Sequence, residues 1–248
     1  MELFGLPTSW VVLYGIVMLV AFTIASTLGM GGPLIVMPFL LLRFEAAEAV
    51  ALIVPLIWVN NLGRTLLHHR FIHWGAVWRS GLLAVPLTLA AAYLTSVISG
   101  NGLKLVIVAM IAYALGSRYL FHITPKVGKG GLIFWGIPIG LLTGLSGTSG
   151  PPLAIAYRGF GLTMRYFVAT FSTLQIALQL VRLPGYIDSG LLHPGNFPLA
   201  IYFALCGLPG VFLAKPLLHR IKPDTFRIGI DIILGLIAIT LLVDVLRS

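Results

Sequence analysis

The chain has 248 residues, of which 58% are hydrophobic and only 9% charged, with a formal net charge of +9 and a mean hydropathy of +1.02. Soluble domains run at roughly 45–50% apolar and about 25% charged residues, so these figures exclude a water-soluble domain, as they exclude disorder, a coiled coil and a disulfide scaffold. The single cysteine, Cys206, permits no internal disulfide, and the basic surplus reads as loops on the cytoplasmic side of a membrane rather than a nucleic-acid surface.

A helix that crosses the hydrocarbon needs about 20 mostly apolar residues. In chain order the sequence predicts eight such helices, over roughly 10–28, 47–67, 76–97, 103–121, 131–147, 165–182, 197–215 and 228–245. Two apolar runs of about half that length, 34–43 and 152–162, follow Gly-rich breaks: Gly29-Met30-Gly31-Gly32-Pro33 and Gly147-Thr148-Ser149-Gly150-Pro151-Pro152. No polar connection is long enough for a separate soluble domain. Glu2, where a signal peptide carries Lys or Arg, argues against such a leader.

The two breaks reveal an internal duplication. Gly32-Pro33 matches Gly150-Pro151 at an offset of 118, and the same offset maps Asn61 onto Gln179 and Arg64 onto Arg182. Ile72-His73-Trp74-Gly75 matches Leu192-His193-Pro194-Gly195 at an offset of 120. The expected halves are 1–123 and 124–248. The positive-inside rule then sets their relative orientation. If each short run is the returning arm of a hairpin, one side carries Arg64, Arg70, Arg79, Arg118, Lys126, Lys129, Arg158, Arg165, Lys215, Arg220, Lys222 and Arg227, against Arg43, Lys104, Arg182 and Arg247 on the other. If the short runs merely continue the preceding helices, that bias vanishes. The expected architecture is therefore an all-α polytopic membrane protein of two inverted repeats, with eight long transmembrane helices, two short half-helices and both termini outside. Inverted repeats with broken helices are the build of many secondary transporters, whose substrate sites lie near the midplane.

Gly29, Gly31 and Gly32 let the backbone turn sharply and approach a ligand, and Pro33 or Pro151 fits the first position of a helix. Each short run thus reads as a half-helix whose N-terminus presents free N–H groups and about half a positive charge, a ready anion site. Gly147, Thr148, Ser149 and Gly150 form the second such end, where Thr143, Ser146, Thr148 and Ser149 supply hydroxyls. Glycine and proline also punctuate ordinary turns, and hydroxyls also bond back to their own helix. Asn60, Asn61 and Arg64 lie within one turn; Gln175, Gln179 and Arg182 share a helical face. Amides in an apolar helix need partners, which puts Asn60, Asn61, Gln175 and Gln179 toward the bundle interior or the cavity, with Asn61 and Gln179 along the path and Arg64 and Arg182 at two vestibules. Glu48 and Asp231 are the candidates for ion coupling, each close enough to an interface to be simply solvated. His69 and His73 share a face, but with no carboxylate or cysteine nearby no metal site is assigned, and no catalytic residue or cofactor either. Gly136, Gly140 and Gly144 form a flat stripe for close helix packing.

Two Gly-rich motifs, each followed by a short apolar run, in a duplicated chain of about this length resemble the sulfite exporter TauE/SafE family. The first motif reads Gly29-Met30-Gly31-Gly32-Pro33-Leu34-Ile35-Val36-Met37-Pro38 and the second Gly147-Thr148-Ser149-Gly150-Pro151-Pro152. Pro33, Ser149 and Ala156 depart from the usual pattern. The resemblance implies transport of sulfur-containing anions, such as sulfite or organosulfonates, across a bacterial inner membrane. The expected partners are a small anion and the lipid bilayer, with no nucleic acid; homo-oligomerisation stays open. A passive anion channel is the nearest alternative, and an intramembrane enzyme is the rival from another class.

Overall fold

The structure, a computed structural model, describes residues 2–28, 32–119, 126–217 and a few helical positions between 235 and 246. A minimal antiparallel ribbon, β1 (Glu2–Leu3) and β2 (Leu6–Pro7), opens the chain. Helices follow: α1 (Thr8–Leu28), α2 (Gly32–Leu40), α3 (Ala46–Leu52), α4 (Val54–His68), α5 (Trp74–Leu94), α6 (Gly100–Tyr119), α7 (Lys129–Ser146), α8 (Gly150–Gly159), α9 (Met164–Asp188) and α10 (Phe197–Leu217). Among the described residues five segments are long and apolar enough to cross a bilayer: Thr8–Ser26, Ala46–Phe71, Trp74–Leu94, Lys129–Ser146 and Met164–Asp188. Helices α6 and α10 hold shorter apolar stretches, Gly100–Tyr113 and Phe197–Leu213. The chain is an all-α membrane protein apart from that short ribbon.

One expected helix is interrupted. The helix expected over 47–67 is broken at Ile53, because Pro55 has no N–H to donate to Ala51 and the ladder restarts with Ile57 N–H bonding Ile53 O at 3.0 Å. The stretch 228–245, the break residues 29–31 and Asp231 lie wholly or mostly outside the described residues.

The short helices double back on their predecessors. Tyr14 on α1 donates to the Phe39 carbonyl near the end of α2 at 3.2 Å, and Val127 N–H, just before α7, bonds Gly159 O at the end of α8 at 3.0 Å. At about 1.5 Å per residue, the 9 residues of α2 and the 10 of α8 reach roughly half of a 30 Å hydrocarbon core.

The long helices pair closely. Helix α7 runs parallel to α5, with Gly136 against Ser80, Gly140 against Ala84 and Gly144 against Ala91. Helix α1 runs parallel to α10, with Gly15 against Tyr202 and Gly210 against Leu19 and Thr23. Between these pairs, α4 and α9 form the buried middle and run antiparallel. Ile53 and Arg182 both meet Gly147, and the rings of Phe71 and Tyr166 stack edge-on at 5.6 Å. Outward, Ile16, Trp78, Leu82, Phe134, Leu205 and Phe212 stay exposed, far more apolar surface than water tolerates in one belt and what lipid requires.

The same contacts gather the basic connections at one end. His73 and Phe160 meet ring to ring at 5.5 Å, and Arg165 lies over Phe71 at 5.7 Å. Arg70, Arg79, Lys126, Lys129, Arg158 and Arg165 thus belong to the end where α4 stops and α5 and α9 begin. At the other end Tyr93 donates to Asp188 at 2.8 Å.

Candidate functional site

Helix α4 brings Asn60, Asn61 and Arg64 inward, all at most 5% exposed. They line a cleft with Phe22 and Ala25 of α1, the first residues of α2, Gly32 and Pro33, and Ile57 of α4. The opposite wall is Thr148 from the α7–α8 turn and Phe171 and Gln175 of α9. The cleft, with about 300 Å³ of atom-free space counting its open side, sits where the two short helices start. Its lining runs along α4 from Ile57 to Arg64 and along α9 from Gln175 back to Phe171, so it extends toward the basic end.

None of these lining residues is acidic, and Arg64 carries the formal positive charge. Arg64 Nη2 also donates to Ser26 Oγ at 3.2 Å. The side-chain nitrogen of Asn60 is buried without a hydrogen-bond partner, in a residue 1% exposed. Such an orphaned donor costs about 1–3 kcal/mol, and native structures rarely leave one without a reason. Asn61 differs: its Nδ2 donates to Ile57 O of its own helix at 2.9 Å. Sequence reasoning singled out Asn61 for the path; Asn60 has the donor to spare.

The α7–α8 turn is held rigidly. Gly147, at φ +82°, caps α7 in the left-handed region and bonds Thr143 O through its N–H at 3.1 Å. Thr143 has one hydroxyl hydrogen and an Ile139 carbonyl 2.7 Å away. A directed chain follows: Gln175 Nε2 donates to Ser149 Oγ at 3.3 Å, Ser149 to Thr143 Oγ1 at 2.7 Å, and Thr143 to Ile139. Ser146 bonds back to Leu142 O at 2.7 Å. Of the four expected hydroxyls, Thr148 alone lines the cleft.

At the start of α8 the sequence expectation of several free N–H groups meets its own prolines. Pro151 and Pro152 have none, and Leu153 N–H bonds Ser149 O at 3.1 Å. That leaves Gly150, whose N–H reaches Thr148 Oγ1 at 3.4 Å. The helix end keeps its positive pole but has few hydrogens to offer, so side chains must supply the rest.

The remaining candidates lie elsewhere. Gln179 is buried behind the turn, donating to Gly147 O at 3.3 Å. Arg182, expected at an outer vestibule, is 0% exposed and donates through Nη1 to Thr143 O at 3.0 Å, against the negative C-terminal pole of α7. Glu48 is half-buried in the first turn of α3, away from the cleft. Among the described residues no group of three His, Cys, Asp or Glu is placed to hold a metal ion. His73 caps α5, its Nδ1 accepting Ala76 N–H at 3.0 Å. His73→Ala therefore lowers stability by about 1 kcal/mol and leaves anion flux per folded molecule unchanged; lost flux with intact anion binding would revive the enzyme reading. The walls Phe22, Ile57 and Phe171 carry no sequence signal, since an apolar residue in an apolar helix looks like its neighbours.

Fold and cleft together define a polytopic helical membrane protein with an acid-free, donor-lined cleft between two half-helices. The sequence model of the family described as Sulfite exporter TauE/SafE matches residues 14–241. The chain belongs to that family, which makes it a membrane transporter of the sulfur-anion exporter type. No curated protein and no solved structure matches it.

Proposed function

We propose that the chain is a secondary transporter that binds a small sulfur-containing oxyanion in this cleft and moves it by alternating access between two inverted repeats, 1–123 and 124–248. The observation that carries the reading is the unpartnered Asn60 Nδ2 beside Arg64 in an acid-free cleft, between the starts of α2 and α8. An oxyanion supplies the acceptor that Asn60 lacks and carries a charge opposite to that of Arg64. Gly29 and Gly31 complete the first helix end in this reading, with Gly32, Asn61, Gln175 and Thr148 lining the site; Gly147, Ser149, Gly150 and Gln179 hold the second end in shape. Glu48 and Asp231 remain the coupling candidates.

The duplication is supported by reciprocal packing. Helix α1 of the first half pairs with α10 of the second, and α7 of the second with α5 of the first; α4 packs on α10 as α9 packs on α5. Such exchange of equivalent contacts is the mark of a two-fold relation, and antiparallel α4 and α9 support an axis lying in the membrane plane. With the basic end inward, the protein sits in a bacterial inner membrane with both termini outside and the cleft facing the cytoplasm.

The test is a thermal-shift series of the purified chain with sulfite, sulfate, thiosulfate and a small alkylsulfonate, with sulfite flux into liposomes. Stabilisation by at least one anion and saturating flux are expected. A Cβ at Gly150 meets only Thr148 Oγ1, at 3.8 Å, so Gly150→Val crowds the cleft edge without a backbone clash and should weaken that stabilisation. If no anion stabilises the native chain the reading fails. Flux that rises linearly and cannot be driven uphill assigns a passive channel instead.

A further inference from the structure

The cleft has a closed counterpart. Moved along the chain by the 118 positions that align Gly32-Pro33 with Gly150-Pro151, the cleft residues Ala25, Asn61 and Arg64 fall on Thr143, Gln179 and Arg182. Moved back by the same offset, Phe171 falls on Ile53. All four counterparts are 0% exposed. They converge on the α7–α8 turn. A Cβ built on Gly147 lies 3.1 Å from both Arg182 Nη1 and Ile53 Cδ1, while Gln179 Nε2 donates to the Gly147 carbonyl and Arg182 Nη1 to that of Thr143.

This packed cluster contains groups its own contacts do not satisfy. Arg182 Nε and Nη2 and Gln179 Oε1 are buried without partners. Among the described residues no acidic side chain is hydrogen-bonded to Arg182, and the half charge at the end of α7 together with the Tyr186 ring, 5.2 Å from the guanidinium carbon, only partly balances the cation. A fully buried cation with two idle donors is a costly arrangement. Gln175, Gln179 and Arg182, at spacings of four and three on α9, run as one polar face from the open cleft to this cluster.

We propose that Ile53, Thr143, Gln179 and Arg182 form a second oxyanion site, collapsed here, that opens toward the Tyr93–Asp188 end and in which Arg182 takes the part Arg64 plays in the open cleft. The proposal rests on the cleft and repeat reading above. Withdrawal of the α7–α8 turn from α9 frees Arg182 Nη1 from Thr143 O, and the idle Nε and Nη2 then meet the anion. The two arginines are one functional group caught in two states.

The test uses Cys206→Ser, which removes the single cysteine, carrying either Gln179→Cys or Ile53→Cys, in oriented membrane vesicles. A membrane-impermeant thiol reagent is applied from each face in turn. Reaction at least tenfold faster from the Tyr93–Asp188 face is expected. No reaction from that face, or equal reaction from both, overturns the proposal; the two positions guard against one variant failing to fold. Arg182→Gln, which keeps an N–H for the Thr143 carbonyl, should bind sulfite within about twofold of the native chain in the thermal-shift assay while exchanging it at least tenfold more slowly. Exchange at the native rate overturns the proposal. Loss of sulfite binding in the native chain would instead condemn the cleft reading, which the labelling pattern does not measure.

Discussion

Asn60→Leu is expected to make the empty protein more stable and the transporter inactive. Leucine has the branching of asparagine, its bulkier methyls have the cleft beside them, and it removes a buried amide whose nitrogen has no partner, so the gain is about 1–2 kcal/mol, within the usual cost of an orphaned donor. For a chain of this size 1 kcal/mol corresponds to roughly 2–4 °C in Tm. The same change removes a hydrogen bond to a charged ligand, which is worth about 1.5–3 kcal/mol, or roughly 10- to 150-fold in affinity. Paired thermal melts with and without sulfite check both halves. A destabilised variant that still binds sulfite would show that Asn60 serves packing alone. Leu178, one repeat away from Asn60, is already leucine and fully buried, so the substitution recreates a packing the fold uses elsewhere.

Gly140→Val should be among the costliest single changes on the outer helices. A Cβ there comes within 2.6 Å of Ala84 O, 2.9 Å of Ala84 Cα and 2.9 Å of Leu87 Cβ. Two of those atoms are backbone and cannot rotate away. Valine adds two methyls beyond that Cβ, so α7 must separate from α5, losing the Thr88 Oγ1 bond to Gly140 O at 3.2 Å and straining the Thr95 Oγ1 bond to Gly144 O at 3.1 Å. Overpacking costs about 1–3 kcal/mol, and the lost hydrogen bond adds about 1 kcal/mol. The readout is yield of monodisperse protein and Tm in detergent. Gly81→Ala is the control, since its new methyl meets Leu174 Cδ1 at 3.5 Å and Val85 Cγ2 at 4.0 Å, both ordinary contacts; a drop equal to that of Gly140→Val would mean that the stripe has no special role.

Much of the bundle was legible because a bilayer imposes length and polarity rules that a sequence cannot hide. The short helices begin at Gly32 and Gly150, two residues before the apolar runs that announced them, because glycine and proline set both start points. Hydropathy continues through Ile53, and only Pro55 signals the break there. Span counting puts Arg182 at the outer surface, whereas its side chain is fully buried. A long side chain near a helix end is expected to reach the interface, but the cap on α7 offered it a carbonyl inside. Asn60 and Asn61 are indistinguishable in composition, and only the packing decides which amide bonds its own helix and which is left to a ligand. His69 and His73, to which the sequence assigns no metal, both contact backbone atoms: His73 Nδ1 accepts Ala76 N–H at 3.0 Å and His69 Nδ1 lies 3.0 Å from Leu66 O.

The pairing of α1 with α10 also dictates the order in which the chain is assembled. Tyr202 donates to Val11 O at 3.0 Å across 191 positions of sequence. At about 5–20 residues per second, the first helix waits roughly 10–40 s in the bilayer before its partner is made. During that interval the face of α1 that α10 will cover has only lipid or the insertion machinery to lie against, while α5 finds α7 far sooner. Errors of biogenesis should therefore concentrate on α1, whose contact with α10 closes late.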